Sequence, residues 1–144
     1  MAIAACLSGM ALANAGLGAV HGYAGPIGGM FPAPHGQVCA ALLPEVMEQN
    51  IAALSERAPG HPALARYREI GQLLCGVEEA TTPDGLAWVR ALVLDLGVPR
   101  LTEHGLTHAD VPILVEKAQR ASSMKGNPIL LTVEELAKIL RETL

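Results

Sequence analysis

The segment 16-GLGAVHGYAGPIGGMFPAPHG-36 sets two histidines, His21 and His35, fourteen residues apart with no charged side chain between them. Its glycines and prolines are the residues that interrupt helices. They predict a short helix from Val20 to Ile27, a turn through Gly28-Gly29 and the Pro-Ala-Pro step, and a new helix that begins at His35. The histidines are the segment's candidates for chemistry because imidazole is the side chain that most often binds a metal.

Charge is distributed unevenly along the 144 residues. No Asp, Glu, Lys or Arg precedes Glu45, and all 24 charged side chains lie from this residue onward. A domain seldom exposes so long an uncharged stretch, so we expect the first 44 residues to be buried, inside this domain or against a partner. The net charge of −4, with no cluster of Lys or Arg, argues against nucleic acid and membrane surfaces as partners. The length indicates one domain, residues 1–144.

The first fifteen residues are apolar and allow three interpretations. A secretory signal would be cleaved after Ala15, but the basic residues that open such signals are missing. A membrane anchor needs about 20 strongly apolar residues, whereas this run is rich in alanine and glycine. A core helix over residues 2–14 is the favoured interpretation, in a cytoplasmic protein that does not associate with membranes.

Helix signals recur along the chain, whereas no segment alternates with the period of two that marks a strand. Apolar residues recur at spacings of three and four, and glycine, proline or a capping box marks most helix ends. The predicted helices cover 2–14, 20–27, 35–55 with a kink or break near Pro44, 62–76, a helix from Thr82 (N-cap) and Pro83 to Gly97, one after the Thr107/Asp110 capping box, and one after the Thr132/Glu135 capping box. The sequence therefore predicts an all-α bundle of roughly seven helices.

The histidine segment resembles the metal-binding signature of the iron-containing (group III) alcohol dehydrogenases, in which a G-x-x-H-x-x-x-H-P-x-G run is followed by P-H-G. The similarity continues in order through 7-LSGMALAN-14, 38-VCAALLPEVMEQN-50, 123-SMKGNP-128 and 131-LTVEELAKIL-140, and it covers nearly the whole chain. The resemblance implies the fold of that family's C-terminal helical domain.

The resemblance also implies site residues. It makes His21 and His35 two of the family's metal ligands, the first late on one helix and the second at the start of the next, with glycines between them that let both imidazoles approach one point. It puts Tyr23, Gly25 and Phe31 near the substrate cleft. In a whole enzyme of this kind, the metal acts as a Lewis acid on the substrate hydroxyl, and hydride passes to NAD(P)+ held by another domain.

Three features depart from the family pattern. Gly25 stands where the family usually has the second histidine of its H-x-x-x-H run. The aspartate and histidine that the family supplies from an upstream helix have no counterpart in these 144 residues. A glycine-rich nucleotide-binding loop is missing as well, so NAD(P) is not expected to bind this chain alone. Fe(II) or Zn is expected only if another segment or chain completes the site.

Cysteine use agrees with a reducing cytoplasm, because Cys6, Cys39 and Cys75 are odd in number and widely spaced. Cys39 follows His35 by four residues and could share its face of a helix. It is either a third metal ligand or, more commonly for such a residue, a buried structural thiol.

The remaining polar and aromatic candidates have structural interpretations. Histidines at loop or cap positions are expected on the surface, and the first two glutamates are expected to be solvated. Trp88 is expected to anchor the core or an interface. The Asn127-Pro128 step is expected to clamp a loop. The histidines meant here are His61, His104 and His108, and the glutamates are Glu45 and Glu48.

Two functions stay open. The chain supplies part of the metal and substrate site for NAD(P)-dependent alcohol oxidation, is inactive alone, and needs a missing cofactor-binding half as its partner. Alternatively, it is a non-catalytic helical domain that binds no cofactor and self-associates as a homo-oligomer through its apolar N-terminal surface.

Overall fold

A computed structural model describes residues 2–144 of the chain. Within these residues it contains seven α-helices, three short 3₁₀ helices and no strand, which confirms the predicted all-α fold. The α-helices are α1 (Ala2–Ala15), α2 (Ala19–Met30), α3 (His35–Arg57), α4 (Pro62–Cys75), α5 (Thr82–Asp95), α6 (Val111–Arg120) and α7 (Val133–Thr143). The 3₁₀ helices are Leu101–His104, His108–Asp110 and Ser122–Gly126.

The core lies between α2, α3, α6 and α7. Helix α2 packs against α3 and α6, and α7 packs against α3 and α6. The apolar residues of α7 recur at spacings of three and four, which places Leu136, Ile139 and Leu140 on one fully buried face. Burying one such side chain contributes about 1.5–3 kcal/mol, so this face fixes α7 against the rest of the core.

Helices α4 and α5 form a hairpin that packs against α3. The two helices touch backbone to backbone, because a β-carbon built on Gly85 would lie 2.5 Å from the Cα of Gly71. Gly76 ends α4 in the left-handed conformation, with φ of 69°, as its position predicts. The hairpin thus depends on glycine at its crossing and at its turn.

The predicted N-cap residues begin the helices, except that one cap lies one residue earlier than predicted. Thr132 caps α7 by accepting a hydrogen bond from the backbone N–H of Glu135, as predicted. The N-cap of α5 is Thr81, so the prediction of Thr82 is wrong by one residue. The carboxylate of Asp84 accepts a bond from the backbone N–H of Thr81 at 2.8 Å, and this reciprocal contact fixes the start of the helix.

The predicted turn at Gly28-Gly29 does not end α2, and α3 is not broken at Pro44. Helix α2 continues through Gly28-Gly29 to Met30, because the backbone there keeps helical hydrogen bonds, and the N–H of Phe31 still donates to the carbonyl of Ile27. Helix α3 is not broken at Pro44 and runs on to Arg57. Pro44 is buried in the packed length of α3, where tertiary contacts offset the one hydrogen bond that proline removes.

Helix α1 is not a core helix, and that prediction is wrong for the described chain. Every described residue of α1 is exposed, and Ile3 keeps 78% of its surface accessible. The predicted interruption at Gly16 is confirmed, because Gly16 has φ of 75° and α1 meets α2 at a bend of 99°. Of the first 44 residues, burial begins only with α2.

No single described helix is both long and apolar enough to cross a membrane. Helices α1 and α2 reach that length and composition only when taken together, across their 99° bend.

The glycine crossing of the α4–α5 hairpin predicts a stability difference between two Gly→Ala changes. Gly85→Ala would force the helices apart and lower the free energy of unfolding by about 1–3 kcal/mol. The control Gly28→Ala places its methyl group in open space within α2, so we expect no loss and a gain of up to about 1 kcal/mol. Urea denaturation followed by circular dichroism measures both. Equal urea midpoints for the two variants would contradict the close backbone contact between α4 and α5.

Candidate metal centre

His21 and His35 each lie at the start of a helix. His21 is in the first turn of α2, not late on a helix as predicted, and His35 is the first residue of α3. The connection through residues 31–34 leaves α2 in extended conformation at Phe31 and returns the start of α3 to the start of α2. The imidazole ring centroids are consequently 5.3 Å apart, with a 52° angle between the ring planes.

Cys39 joins the two histidines from the second turn of α3. Its Sγ is 3.5 Å from Nε2 of His35, because residues four apart share one face of a helix. The same Sγ is 4.0 Å from Nε2 of His21 on the neighbouring helix. One possible ligand atom from each of the three residues lies within 4.8 Å of the other two. Two helix starts therefore converge on one cluster of nitrogen and sulfur donors.

The cluster lies at the boundary between the core and the surface. His35 is exposed, whereas His21 and Cys39 are half-buried. Burial lowers the pKa of His21, and the neighbouring His35 lowers it further, so the neutral imidazole is favoured there. Burial raises the pKa of the Cys39 thiol. In the part of the chain that the structure describes, no carboxylate belongs to the cluster.

A large apolar groove opens beside the cluster, with a volume of about 850 Å³. It lies between the α4–α5 hairpin and the start of α2, and its floor is α3. His21 and Cys39 are part of its wall. Trp88, predicted to anchor the core or an interface, also lines the groove and is 38% exposed. Further lining residues are Leu43, Met47, Tyr67, Ile70 and Leu92.

The three residues expected near a substrate cleft have different surroundings. Tyr23 is fully buried, and its hydroxyl donates to the carbonyl of Leu136 on α7 at 2.8 Å. This burial raises its pKa. Phe31 is half-buried and packs against the core. Gly25 is exposed one turn after His21, with open space where a side chain would project. None of the three lines the groove beside His21.

The Asn127 side chain fixes the start of α2, where His21 lies. Its Oδ1 accepts a hydrogen bond from the backbone N–H of Ala19 at 3.1 Å. Its Nδ2 donates to Oδ1 of Asn50 on α3 at 2.7 Å and to the carbonyl of Ile129 at 2.8 Å. The predicted loop clamp is thereby confirmed, and it also joins α2 to α3.

Asn50 is a positioning residue that the sequence analysis missed. It is only 3% exposed, and its Nδ2 lies 3.2 Å from both the Tyr67 hydroxyl and Oδ1 of Asn127. The signal available in the sequence was an asparagine within the apolar pattern of α3, since buried amides need hydrogen-bond partners.

The other histidines lie apart from the cluster. His61 is half-buried, which corrects the expectation of a surface residue, and it caps α4, where its Nδ1 accepts from the backbone N–H of Ala63. His108 is exposed as expected. His104 corrects the expectation of a surface residue, because it is half-buried and its buried Nε2 has no hydrogen-bond partner.

Glu45 and Glu48 are not simply solvated, which corrects that expectation. Both carboxylates pair with Arg90 of α5, at 3.0 Å and 2.8 Å. These pairs raise the pKa of the guanidinium, with the hydrogen bond to Glu48 the largest cause. The two glutamates therefore tie the α4–α5 hairpin to α3 and take no part in the cluster.

The Asn127 clamp predicts a large effect of a small truncation. Asn127→Ala would remove the hydrogen-bond partner of the Ala19 N–H, of Oδ1 of Asn50 and of the Ile129 carbonyl, and should lower the free energy of unfolding by about 2–4 kcal/mol. The matched control is Asn14→Ala, since the Asn14 amide bonds only within exposed α1, and its change should stay within about 0.5 kcal/mol. Thermal unfolding compares them. A similar small effect for both variants would exclude the clamp as a structural constraint.

Comparison with known proteins assigns the family. A model of the Fe-containing alcohol dehydrogenase family, C-terminal, matches residues 1–144. The 1,3-propanediol dehydrogenase of Klebsiella pneumoniae is 33% identical over 144 residues, which cover 99% of this chain and 36% of that protein. The lactaldehyde reductase of Escherichia coli (strain K12) is 33% identical over 146 residues, with 96% and 36% covered.

Solved structures agree with this assignment. A 1,3-propanediol oxidoreductase matches 96% of this chain and 35% of its own, with a TM-score of 0.78 and 27% identity. An alcohol dehydrogenase from Oenococcus oeni matches the same shares with a TM-score of 0.76 and 32% identity. The chain spans about a third of the length of the curated relatives it matches. It belongs to the Fe-containing alcohol dehydrogenase family, and it corresponds to the C-terminal helical domain of such an oxidoreductase.

Proposed function

We propose that this chain supplies part of the metal and substrate site of an alcohol-oxidising enzyme, and that a separate segment or chain supplies the nicotinamide cofactor. The observation that carries the proposal is the convergence of His21 and His35, 5.3 Å apart, at the edge of an apolar groove. The names of the relatives, 1,3-propanediol dehydrogenase and lactaldehyde reductase, suggest a small alcohol or its aldehyde as substrate.

The donor atoms of the cluster fit the metals considered for this family. Imidazole nitrogens suit both zinc and iron(II), and His21 and His35 would hold the ion. When bound, such an ion polarises a substrate oxygen and lowers the pKa of the alcohol. The neutral form of His21, favoured by burial and by His35, is the form that can donate a lone pair.

Proton transfer and the exclusion of water need groups that this chain does not supply by itself. Gly25 has no side chain, so α2 offers no proton acceptor one turn beyond His21, and the proton from the alcohol must leave through solvent or a group on the partner. The apolar groove beside His21 excludes water where the partner covers it, and hydride transfer needs such exclusion. The chain alone is then inactive.

Complementation tests this function. The purified chain is mixed with the portion of the Klebsiella pneumoniae 1,3-propanediol dehydrogenase that lies outside the matched region, and alcohol-dependent NADH formation is followed by absorbance. We expect activity in the mixture only. His35→Ala should lower the rate at least about 100-fold because it removes a ligand. His108→Ala, at an exposed site away from the cluster, should leave the rate unchanged.

Two negative results together would contradict the proposal. These are no NADH formation in the mixture and no association of the two parts by analytical ultracentrifugation. If His35→Ala keeps full activity in the mixture, the histidine pair is not needed for the chain's contribution to the enzyme.

A second candidate function is self-association without catalysis, and exposed α1 favours it. Four large apolar side chains of α1 face solvent: Ile3, Leu7, Met10 and Leu12. Contiguous apolar surface of this kind is typical of protein–protein contacts.

Light scattering tests the self-association. We expect a dimer or larger homo-oligomer for the unaltered chain and a monomer for Leu7→Glu, because a carboxylate in the contact would have to be desolvated. The control Leu94→Glu changes an equally apolar exposed residue of α5, and it should keep the oligomer. A monomeric unaltered chain would exclude this candidate.

A further inference from the structure

The geometry points to Cys39 as a third metal ligand, so that this chain by itself holds a two-histidine, one-thiolate site for zinc. This inference rests on the proposed role of His21 and His35 and extends it. It names a ligand within the chain where the family resemblance implied that a further segment must complete the site. It also names the preferred metal, because a thiolate favours zinc over iron(II).

Distances within the cluster are close to those of a tetrahedral zinc site. Zinc–nitrogen and zinc–sulfur bonds of normal length at a tetrahedral angle place nitrogen and sulfur about 3.6 Å apart. The Sγ of Cys39 lies 3.5 Å from Nε2 of His35 and 4.0 Å from Nε2 of His21. The two sulfur–nitrogen distances therefore fit a common zinc ion to within a few tenths of an ångström. The three ligand atoms all lie within 4.8 Å of one another, so side-chain adjustment would bring them onto one ion.

The backbone already holds the three residues in place. His35 and Cys39 are four residues apart at the start of α3, the spacing at which helical histidine pairs chelate zinc. His21 comes from α2, whose first residue is held by the Asn127 side chain. The site is thus built on two fixed helix starts, and metal binding orders little additional chain.

The other two cysteines have no such surroundings. Cys6 is exposed on α1, and Cys75 is half-buried at the end of α4. Among the described residues, only Cys39 belongs to a group of three that could hold a metal. Cys39 packs against the core, as a structural thiol does, but it also has two imidazole nitrogens within 4.0 Å.

Three protein ligands leave the fourth tetrahedral position of zinc free for an exogenous molecule, the arrangement typical of catalytic zinc. His21 and Cys39 line the apolar groove, so a small molecule in the groove could reach an ion that these residues would hold. Metal binding converts the Cys39 thiol to a thiolate and releases its proton to the buffer. The ligand class predicted for the groove is a small molecule with a hydroxyl or carbonyl oxygen.

Cobalt(II) titration of the metal-free full chain tests the site, because a thiolate bound to cobalt gives charge-transfer absorption in the near ultraviolet that imidazole does not give. We expect this band to grow to one cobalt per chain and to disappear when zinc is added. Cys39→Ser should abolish the band and weaken metal binding at least about tenfold. Cys75→Ser, the matched half-buried control, should keep both.

The outcomes separate this inference from the proposed function. Cobalt binding without the thiolate band would overturn Cys39 as a ligand and leave the histidine pair as the site. A chain that binds no cobalt would overturn the three-ligand site, while the complementation assay would still test the enzyme role. A band that persists in Cys39→Ser and disappears in Cys75→Ser would show that Cys75 is the ligand and would overturn the inference. If Cys39→Ser does not fold, the spectrum of the unaltered chain still decides whether a thiolate binds the metal, and a band retained by Cys75→Ser excludes that cysteine.

Discussion

The hydrogen bonds of Asn127 are the constraint on which the candidate site depends. One amide side chain joins the start of α2, the middle of α3 and the segment before α7. Without this link, α2 would keep its apolar contacts and the hydrogen bond from Tyr23 to α7, but its start would lose the hydrogen bonds that join it to α3 and to the segment before α7. A shift of one residue along a helix is about 1.5 Å, enough to separate His21 from Cys39. Polar contacts therefore set the register, and apolar contacts supply the stability.

The uneven distribution of charge has a spatial counterpart. Residues 2–44 carry no charge and form α1, α2 and the start of α3, and these elements include the exposed apolar helix, the histidine–cysteine cluster and part of the groove. Charged side chains of later elements fix the scaffold instead, as Arg90 does with Glu45 and Glu48, and Arg57 with Glu135. Isolated charges would be costly beside a groove that the proposed partner would cover. The side of the molecule without charges is thus the side suited to contact with a partner.

The sequence predicted those features that depend on residues close together along the chain. The caps at Thr132 and Gly76 follow from local hydrogen bonds and backbone conformation, and both are confirmed. The exposure of α1 and the continuity of α3 through Pro44 depend on which surfaces meet in three dimensions, and local patterns carry no such information. The same limit applies to Cys39. Its spacing predicts a shared face with His35, but its approach to His21 requires the connection to return along α2.

Tyr23 does not lie where the family resemblance implies. A motif places residues near a site by their distance along the chain, whereas α2 turns Tyr23 away from His21 and into the core. There its hydroxyl satisfies a carbonyl of α7, so its role is to hold α2 down, together with Asn127 at the helix start. One face of α2 thus anchors the helix and another presents His21. Because the anchoring face is independent of the metal ligands, the fold can keep its shape while the donor set changes. In the proposed site, a cysteine beside the two histidines would alter which metal binds without any change in the scaffold.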